Sequence, residues 1–539
     1  LWVLPPALCG QTNGSIYTIS TGNESDALSA ASNPTVGAPL ALTSRPLDVS
    51  AGAADTNTYA PVGLSGISIA FAIDRQPKAN GQIDQAYVAA AHQAFTTLNL
   101  TPRLIAKLLT NSYLDSLPGS KSGVNYNGPS DPGHNARNLT TDPDFLANND
   151  KEWASQALTS PSIADLLTPT GRSDIAWQLW RYVAADKDAL AFLNGTPDRW
   201  GMIVNPWNLT DASTNPSKTA LAVPRDNFPK SDPTEVAGSV TGGAINLVTW
   251  RPYTNDFDQA GYLTLRGDGQ ILGPWNVAKE PSAYDKTVRN LAGYQTVLSV
   301  TDTAAAAKYQ IISASLQNAA GKFVAPTSAA MSAAAAAMTP TATQSQVYEY
   351  NPAGATAAAA PTAYPLTMPI YAATNPAQND AATRAAYAAF ITYAATAGQT
   401  VGSGVGELPA GYAPISAGWK TQALAAAAKI ASGWVQPEVP SGDTSGSFPT
   451  NSDDGAAAAF APAIEQAAVP SANPSASGKP IVRLAGAITA KDPDTGALGS
   501  VIPTSLIAGL LAAAGLRLLT RLPAFTRRTR TARIGWRNR

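Results

Sequence analysis

Residues 65–109 contain a strand, an insert and a capped helix, and this order constrains the fold more than any other stretch. Ile67, Ile69, Phe71 and Ile73 alternate with Ser68, Ala70 and Ala72. A period of two predicts a β-strand with one strongly apolar face. Further on, Thr101-Pro102 offers a hydroxyl N-cap and a proline at the first helical position. Leu104, Ile105, Leu108 and Leu109 then fall on one helical face. Strand followed by helix is the repeating unit of a layered α/β domain.

The chain has 539 residues, enough for two or three domains with a sizeable core. Charged residues make up only 14%, while Ala, Gly, Pro, Ser and Thr abound. That balance suits an extracytoplasmic bacterial protein with long loops. Residues 517–539 carry eight arginines and no acid, so the rest of the chain is acidic. An acidic body argues against a nucleic-acid partner, because phosphate neutralisation needs a basic face. Cys9 is the single cysteine, which excludes an internal disulfide. Pro6-Ala7-Leu8-Cys9 is superficially like a lipoprotein processing site, but Leu8 is large where a small residue belongs, so an ordinary apolar cysteine is the simpler reading. The chain begins at Leu1 without a charged segment and an apolar run, and an N-terminal piece is expected to precede it.

Residues 40–47 run from apolar residues into a Thr43-Ser44-Arg45-Pro46 turn. Residues 115–165 are polar and turn-rich and predict a surface insertion. A helix is expected over 174–193, with Ile175, Leu179, Tyr182 and Val183 buried. Residues 244–250, 261–265 and 291–300 are strand candidates, and 328–338 an alanine-rich helix stopped by Pro340. Residues 364–372 read as an extended segment whose two prolines suit an edge strand or a strand start. A helix with Tyr387, Phe390, Ile391 and Ala394 on one face should end near Gly398. Residues 436–500 are rich in Pro, Ser and Gly and form a linker.

From 501 to 516 the chain carries no charge, and Leu518-Leu519 extend the run past Arg517, which can snorkel. Together with the arginines this predicts a transmembrane helix over 501–520 and a basic cytoplasmic tail over 521–539. The competing reading is an amphipathic helix lying on the membrane surface. Asp492-Pro493-Asp494-Thr495-Gly496 precedes the run in the manner of a sortase signal, although Asp492 stands where leucine is required. A plain turn explains it as well.

A family resemblance rests on several segments taken in order. Leu291-Ala-Gly-Tyr-Gln-Thr-Val297, Ala314-Ser-Leu-Gln-Asn-Ala-Ala-Gly-Lys-Phe-Val-Ala-Pro-Thr327 and Tyr364-Pro-Leu-Thr367 come first. Phe390-Ile-Thr-Tyr-Ala394 with Gly398-Gln399, then Gly411-Tyr-Ala-Pro-Ile415, follow. With residues 65–109, these resemble the phosphate-binding proteins of phosphate ABC importers. The resemblance implies a two-lobed periplasmic-binding fold of type II, with the ligand in the cleft between lobes. Lobe 1 would comprise 1–68 and 345–435, and lobe 2, with loop insertions, 69–344. The family's first ligand loop would lie in the piece expected before Leu1. Its Ser-Asp-x-Pro-Leu loop aligns with Thr43-Ser44-Arg45-Pro46-Leu47, where Ser44 replaces the acid. Its Arg-x-x-Gly-Ser-Gly-Thr loop aligns near Pro169–Ile175, keeping Ser173 and placing Arg172 and Asp174 at the glycines. The implied anion-binding set is Thr43, Ser44, Arg45, Arg172, Ser173 and Asp174. An aspartate there should repel an anion, and Ser173 or Asp174 could instead simply cap the helix that follows.

Two histidines, His92 and His134, make a triad or a histidine-rich metal site hard to build. No Gly-x-Ser-x-Gly elbow, Walker loop or Cys-x-x-Cys occurs. The sequence recommends no enzyme and no cofactor. The expected function is a membrane-tethered, extracytoplasmic solute-binding protein for phosphate or another small oxyanion, with an ABC permease as a possible partner. The alternative is a structural or adhesive surface protein that keeps the fold without the ligand.

Overall fold

The computed structural model describes residues 17–32, 37–49, 53–79, 83–117, 135–230, 251–280, 283–378 and 380–433, the short pieces 236–237 and 244–245, and residues 8, 15 and 248. Early in the chain lie α1 (Glu24–Ser32), β1 (Ala41–Thr43), β2 (Thr58–Ile73), β3 (Asn99–Leu100) and α2 (Pro102–Leu109). The middle contributes α3 (Asp174–Ala185), α4 (Lys187–Leu193) and α5 (Phe257–Leu265). Then come β4 (Thr296–Asp302), α6 (Thr303–Lys308), β5 (Ile312–Ser313), β6 (Ser315–Gln317), β7 (Phe323–Val324) and α7 (Ser328–Ala336). Last are β8 (Thr367–Thr374), α8 (Ala381–Ala395) and α9 (Ala417–Ser432). The protein is mixed α/β, and all the described residues belong to one compact unit.

β2 is the axis of the fold, and it changes partner halfway along. Thr58 to Gly66 pair antiparallel with β8, while Ile67 to Ile73 pair antiparallel with β4. β1 adds to the far side of β8, and β5 touches β2 at Ala70 and Phe71. Each half meets a different core. Ala60 and Val62 pack with Tyr387, Ile391 and Ala394 of α8 and Ala423 and Ile430 of α9. Ile67, Ile69, Phe71 and Ile73 pack with Leu104, Ile105 and Leu108 of α2, Leu179 and Trp180 of α3, and Trp153. Ser68 and Ala70 between them are buried as well and Ala72 is half-buried, and Ser68 meets Ser313 through a 2.7 Å hydroxyl bond. The alternation therefore separates large from small side chains, and both faces are covered.

β2 starts at Thr58, before the alternating run, and takes in Pro61. The register with β8 slips between Ile370, opposite Gly63, and Tyr371, opposite Pro61. Such an irregularity is where a strand accepts proline. β8 is not an edge strand, since β1 and β2 flank it. β1 pairs only with Tyr371 to Ala373, so Pro369 lies beyond its end.

The capped helices form as their end signals predict. Thr101 Oγ1 accepts the Leu104 amide at 3.2 Å, and Thr327, a cap the sequence reading did not name, serves α7 in the same way. The expected helix over 174–193 is two helices, because Asp186 takes an extended backbone and its carboxylate caps α4 through the Ala189 amide at 2.8 Å. Residues 261–265 are helical in place of a strand. Asp256 caps α5 through Gln259, and a run as short as Tyr262-Leu-Thr-Leu265 carries no decisive period. α8 stops at Thr396, and Gly398 lies in a following 3-10 turn. Residues 135–165 are part of the core, contrary to the expected surface insertion. Leu139, Phe145, Trp153, Leu158 and Ile163 are buried, and the polar residues Asn138, Asp142, Asp150 and Ser160 are used as caps of short helical turns. α9, capped by Ser416 and closed by Gly433 at φ 74°, is an addition to the sequence reading.

Among the described residues no helix is long and apolar enough to cross a membrane. Cys9, His134, the 436–500 linker, the 501–520 run and the basic tail lie outside the described residues.

Candidate anion site

β1 delivers Thr43 into a turn formed by Ser44 and Arg45, and this turn faces the first residue of α3. The Asp174 carboxylate, 1% exposed, occupies the centre. Its Oδ2 accepts from the Ser44 amide at 2.8 Å, the Ser44 hydroxyl at 3.1 Å and the Thr43 hydroxyl at 3.0 Å. Arg45 Nε donates to Oδ1 at 2.7 Å. The single Thr43 proton has a second acceptor within reach, the Arg45 carbonyl at 3.0 Å. An amide, two hydroxyls and a guanidinium thus converge on one anionic group, the donor chemistry of an oxyanion receptor. The carboxylate also sits at the N-terminus of a 12-residue helix, where the backbone dipole favours negative charge.

The guanidinium of Arg45 is held on every side. Nη1 donates to Asp48 at 2.9 Å, Nη2 donates to Ser25 Oγ, and the Trp177 ring lies 5.2 Å from its carbon. Burial pulls the Arg45 pKa down, but the Asp174 charge and hydrogen bond outweigh it and raise the pKa above its ordinary value.

Glu24, the first residue of α1, approaches Asp174 from the other side and accepts its backbone amide at 3.1 Å. Burial first, and the Asp174 charge second, push the Glu24 carboxyl up to about 7. The folded protein therefore holds a proton that the unfolded chain releases from about pH 4.5 upward, so stability falls as pH rises from there to about 7. Glu24→Gln should remove this fall. In urea unfolding the variant should gain about 2 kcal/mol on the native protein between pH 4.5 and 7.5, a figure reduced for the partial exposure of Glu24. Parallel stability curves for the two proteins would contradict the assignment.

Of the residues singled out from sequence, Thr43, Ser44, Arg45 and Asp174 come together. Ser173 stays beside them as the helix cap, its Oγ accepting the Ala176 amide at 3.1 Å. Arg172 turns away, half exposed, to Asp226 at 2.7 Å and Asp26 at 3.4 Å. Glu24, Ser25, Asp48 and Trp177 escaped the sequence reading. One local signal was there for the first two: Asn23 accepts the Asp26 amide at 2.8 Å, an Asn-x-x-Asp helix start. A cavity of about 380 Å3 among Thr303, Gln310, Ser313, Met331 and Tyr412 shares no residue with the donor cluster. His92 is engaged at the Gly293 carbonyl, 3.1 Å away. A scan against protein-family models and a search of the curated proteins each return no match.

Proposed function

We propose that this is a two-lobed solute-binding protein, similar to phosphate-binding proteins, that takes phosphate or another small oxyanion at the Thr43-Ser44-Arg45 turn. Asp174 holds the donors when no oxyanion is bound. The observation that carries this reading is the convergence of an amide, two hydroxyls and Arg45 on one buried anionic group from a distant part of the chain. The change of partner along β2 supports a hinge between two lobes, with 1–68 and 345–435 in one and 69–344 in the other. Oxyanion entry then requires Asp174 to withdraw, which separates α3 from the turn. On this reading the protein is not an enzyme. It works outside the cytoplasmic membrane of a bacterium, tethered by residues 501–520, and hands its ligand to an ABC permease.

A second reading has an observation of its own. Because Asp174 already satisfies the donors, the fold closes without any ligand, as a structural or adhesive surface protein would need. Calorimetric titration of phosphate into the native protein, Asp174→Ala and Arg45→Ala separates the two. The solute-binding reading expects the turn in Asp174→Ala to bind at least ~10-fold more tightly than in the native protein, since the tethered competitor is gone, and Arg45→Ala to lose the binding at the turn. No heat from any of the three at millimolar phosphate would discard that reading and leave the scaffold.

A further inference from the structure

A second cationic group is buried well away from the donor turn. Arg251, 1% exposed, donates through Nη1 to the Pro161 carbonyl at 2.9 Å and lies 3.0 Å from Asp165 Oδ2. Its Nε and Nη2 have no hydrogen-bond partner among the described residues, and neither does the neighbouring Ser162 hydroxyl. Nε–H and Nη2–H form one straight edge of a guanidinium, the edge that grips two oxygens of a single group. Buried N–H groups are nearly always paired, and leaving two unpaired on a charged group is costly.

The charges point the same way. Lys230 Nζ donates to the Arg251 carbonyl and lies 4.8 Å from the Tyr253 ring. Burial holds Lys230 down to about 8, with Arg251 adding to the effect and Asp165 opposing it. Two cations therefore share one carboxylate, and that carboxylate has already committed Oδ1 to the Leu166 amide at 2.6 Å. Water could satisfy the N–H groups but would leave the excess positive charge in place.

We propose that the Nε/Nη2 edge of Arg251 binds a small oxyanion through two of its oxygens, a phosphate, sulfate or carboxylate group. None of the residues involved touches Asp174 or the donor turn, so the site stands or falls independently of the function proposed above.

Thermal unfolding of the full chain tests this, with inorganic phosphate or acetate added at millimolar concentration and ionic strength held constant with sodium chloride. Four proteins are compared: native, Arg45→Ala, Arg251→Met and Arg251→Lys. Arg251→Lys keeps the charge beside Asp165 and removes the two-pronged edge. A saturable rise in the midpoint of ~2 °C or more is expected with at least one oxyanion, in the native protein and in Arg45→Ala alike. It should shrink in Arg251→Lys and vanish in Arg251→Met. Retention of the rise in Arg251→Lys, an equal rise with chloride alone, or no saturable rise in the native protein would overturn the proposal. A rise that vanishes in Arg45→Ala would overturn it too, by moving the binding to the donor turn.

Discussion

Asp174→Ala is expected to lower the unfolding free energy by about 3 kcal/mol at neutral pH, measured by urea denaturation. Removing one partner of a buried ion pair costs about 3–5 kcal/mol, because the other charge is left without compensation. The lower end applies here for two reasons. Arg45 keeps Asp48 and Ser25, and the Thr43 proton can turn to the Arg45 carbonyl. The Ser44 amide and hydroxyl have no such substitute among their observed contacts. Asp174→Asn keeps an acceptor oxygen and loses the charge, so about half the effect is expected. Phosphate gives this measurement a second use. If the turn accepts oxyanions, millimolar phosphate should stabilise Asp174→Ala by more than it stabilises the native protein, restoring part of the loss by mass action. A loss below about 1 kcal/mol would show that the donors are well satisfied without the carboxylate.

Lys107→Met should be the more damaging change. Lys107 is fully buried in α2, and its Nζ lies 2.7 Å from Asp198, 2.8 Å from Asp142 and 3.1 Å from Asp144. Tyr113 donates to Asp142 at 2.7 Å, and Arg103 grips Asp144 with two bonds of 2.8 and 2.9 Å. Burial alone would lower the Lys107 pKa, but Asp142 and Asp144 outweigh it and raise the pKa above the ordinary lysine value. Without this ammonium, three buried carboxylates are left with one guanidinium among them. A loss of about 5 kcal/mol or more at pH 7 is expected, enough to unfold a protein of ordinary stability. The loss should shrink toward pH 4, because the variant's carboxyls would have raised pKa values and take up protons on folding. Adding Asp142→Asn and Asp198→Asn to Lys107→Met should recover most of the stability, since a whole buried ionic group can be replaced where one member cannot. If Lys107→Met alone unfolds like the native protein at pH 7, the cluster is not the keystone its geometry suggests.

What could be read in the sequence was local. Thr101-Pro102 begins a helix because a hydroxyl three residues ahead satisfies an orphan amide, a fact contained in a few adjacent residues. The alternation from Ile67 to Ile73 marked a strand for the same reason. The turn at Thr43-Ser44-Arg45 was legible as a donor group. The partner of that turn was not, since Arg45 and Asp174 meet only through the tertiary fold, and an aspartate among anion donors reads as a repellent until it is seen to be the anion. Glu24 was missed on similar grounds, because its role depends on α1 beginning against Asp174. Pro61 and Pro369 show the same limit of local rules. The prolines of 364–372 pointed to an edge strand or a strand start, yet β8 lies between two strands, and Pro61 and Pro369 are accommodated by a slip in register and a short neighbour that no local rule describes.

The way β2 shares its edges also sets a timetable for making the protein. The strand is complete once residue 73 has been synthesised, but its partners are β4 at 296–302 and β8 at 367–374. Until most of the chain has emerged, a long apolar strand with bare edges has nothing native to pair with. Non-local pairing of this kind slows folding and exposes the nascent chain to wrong partners. Truncations that end between residues 313 and 367 should therefore leave β2 half paired, with the ladder to β8 unmade.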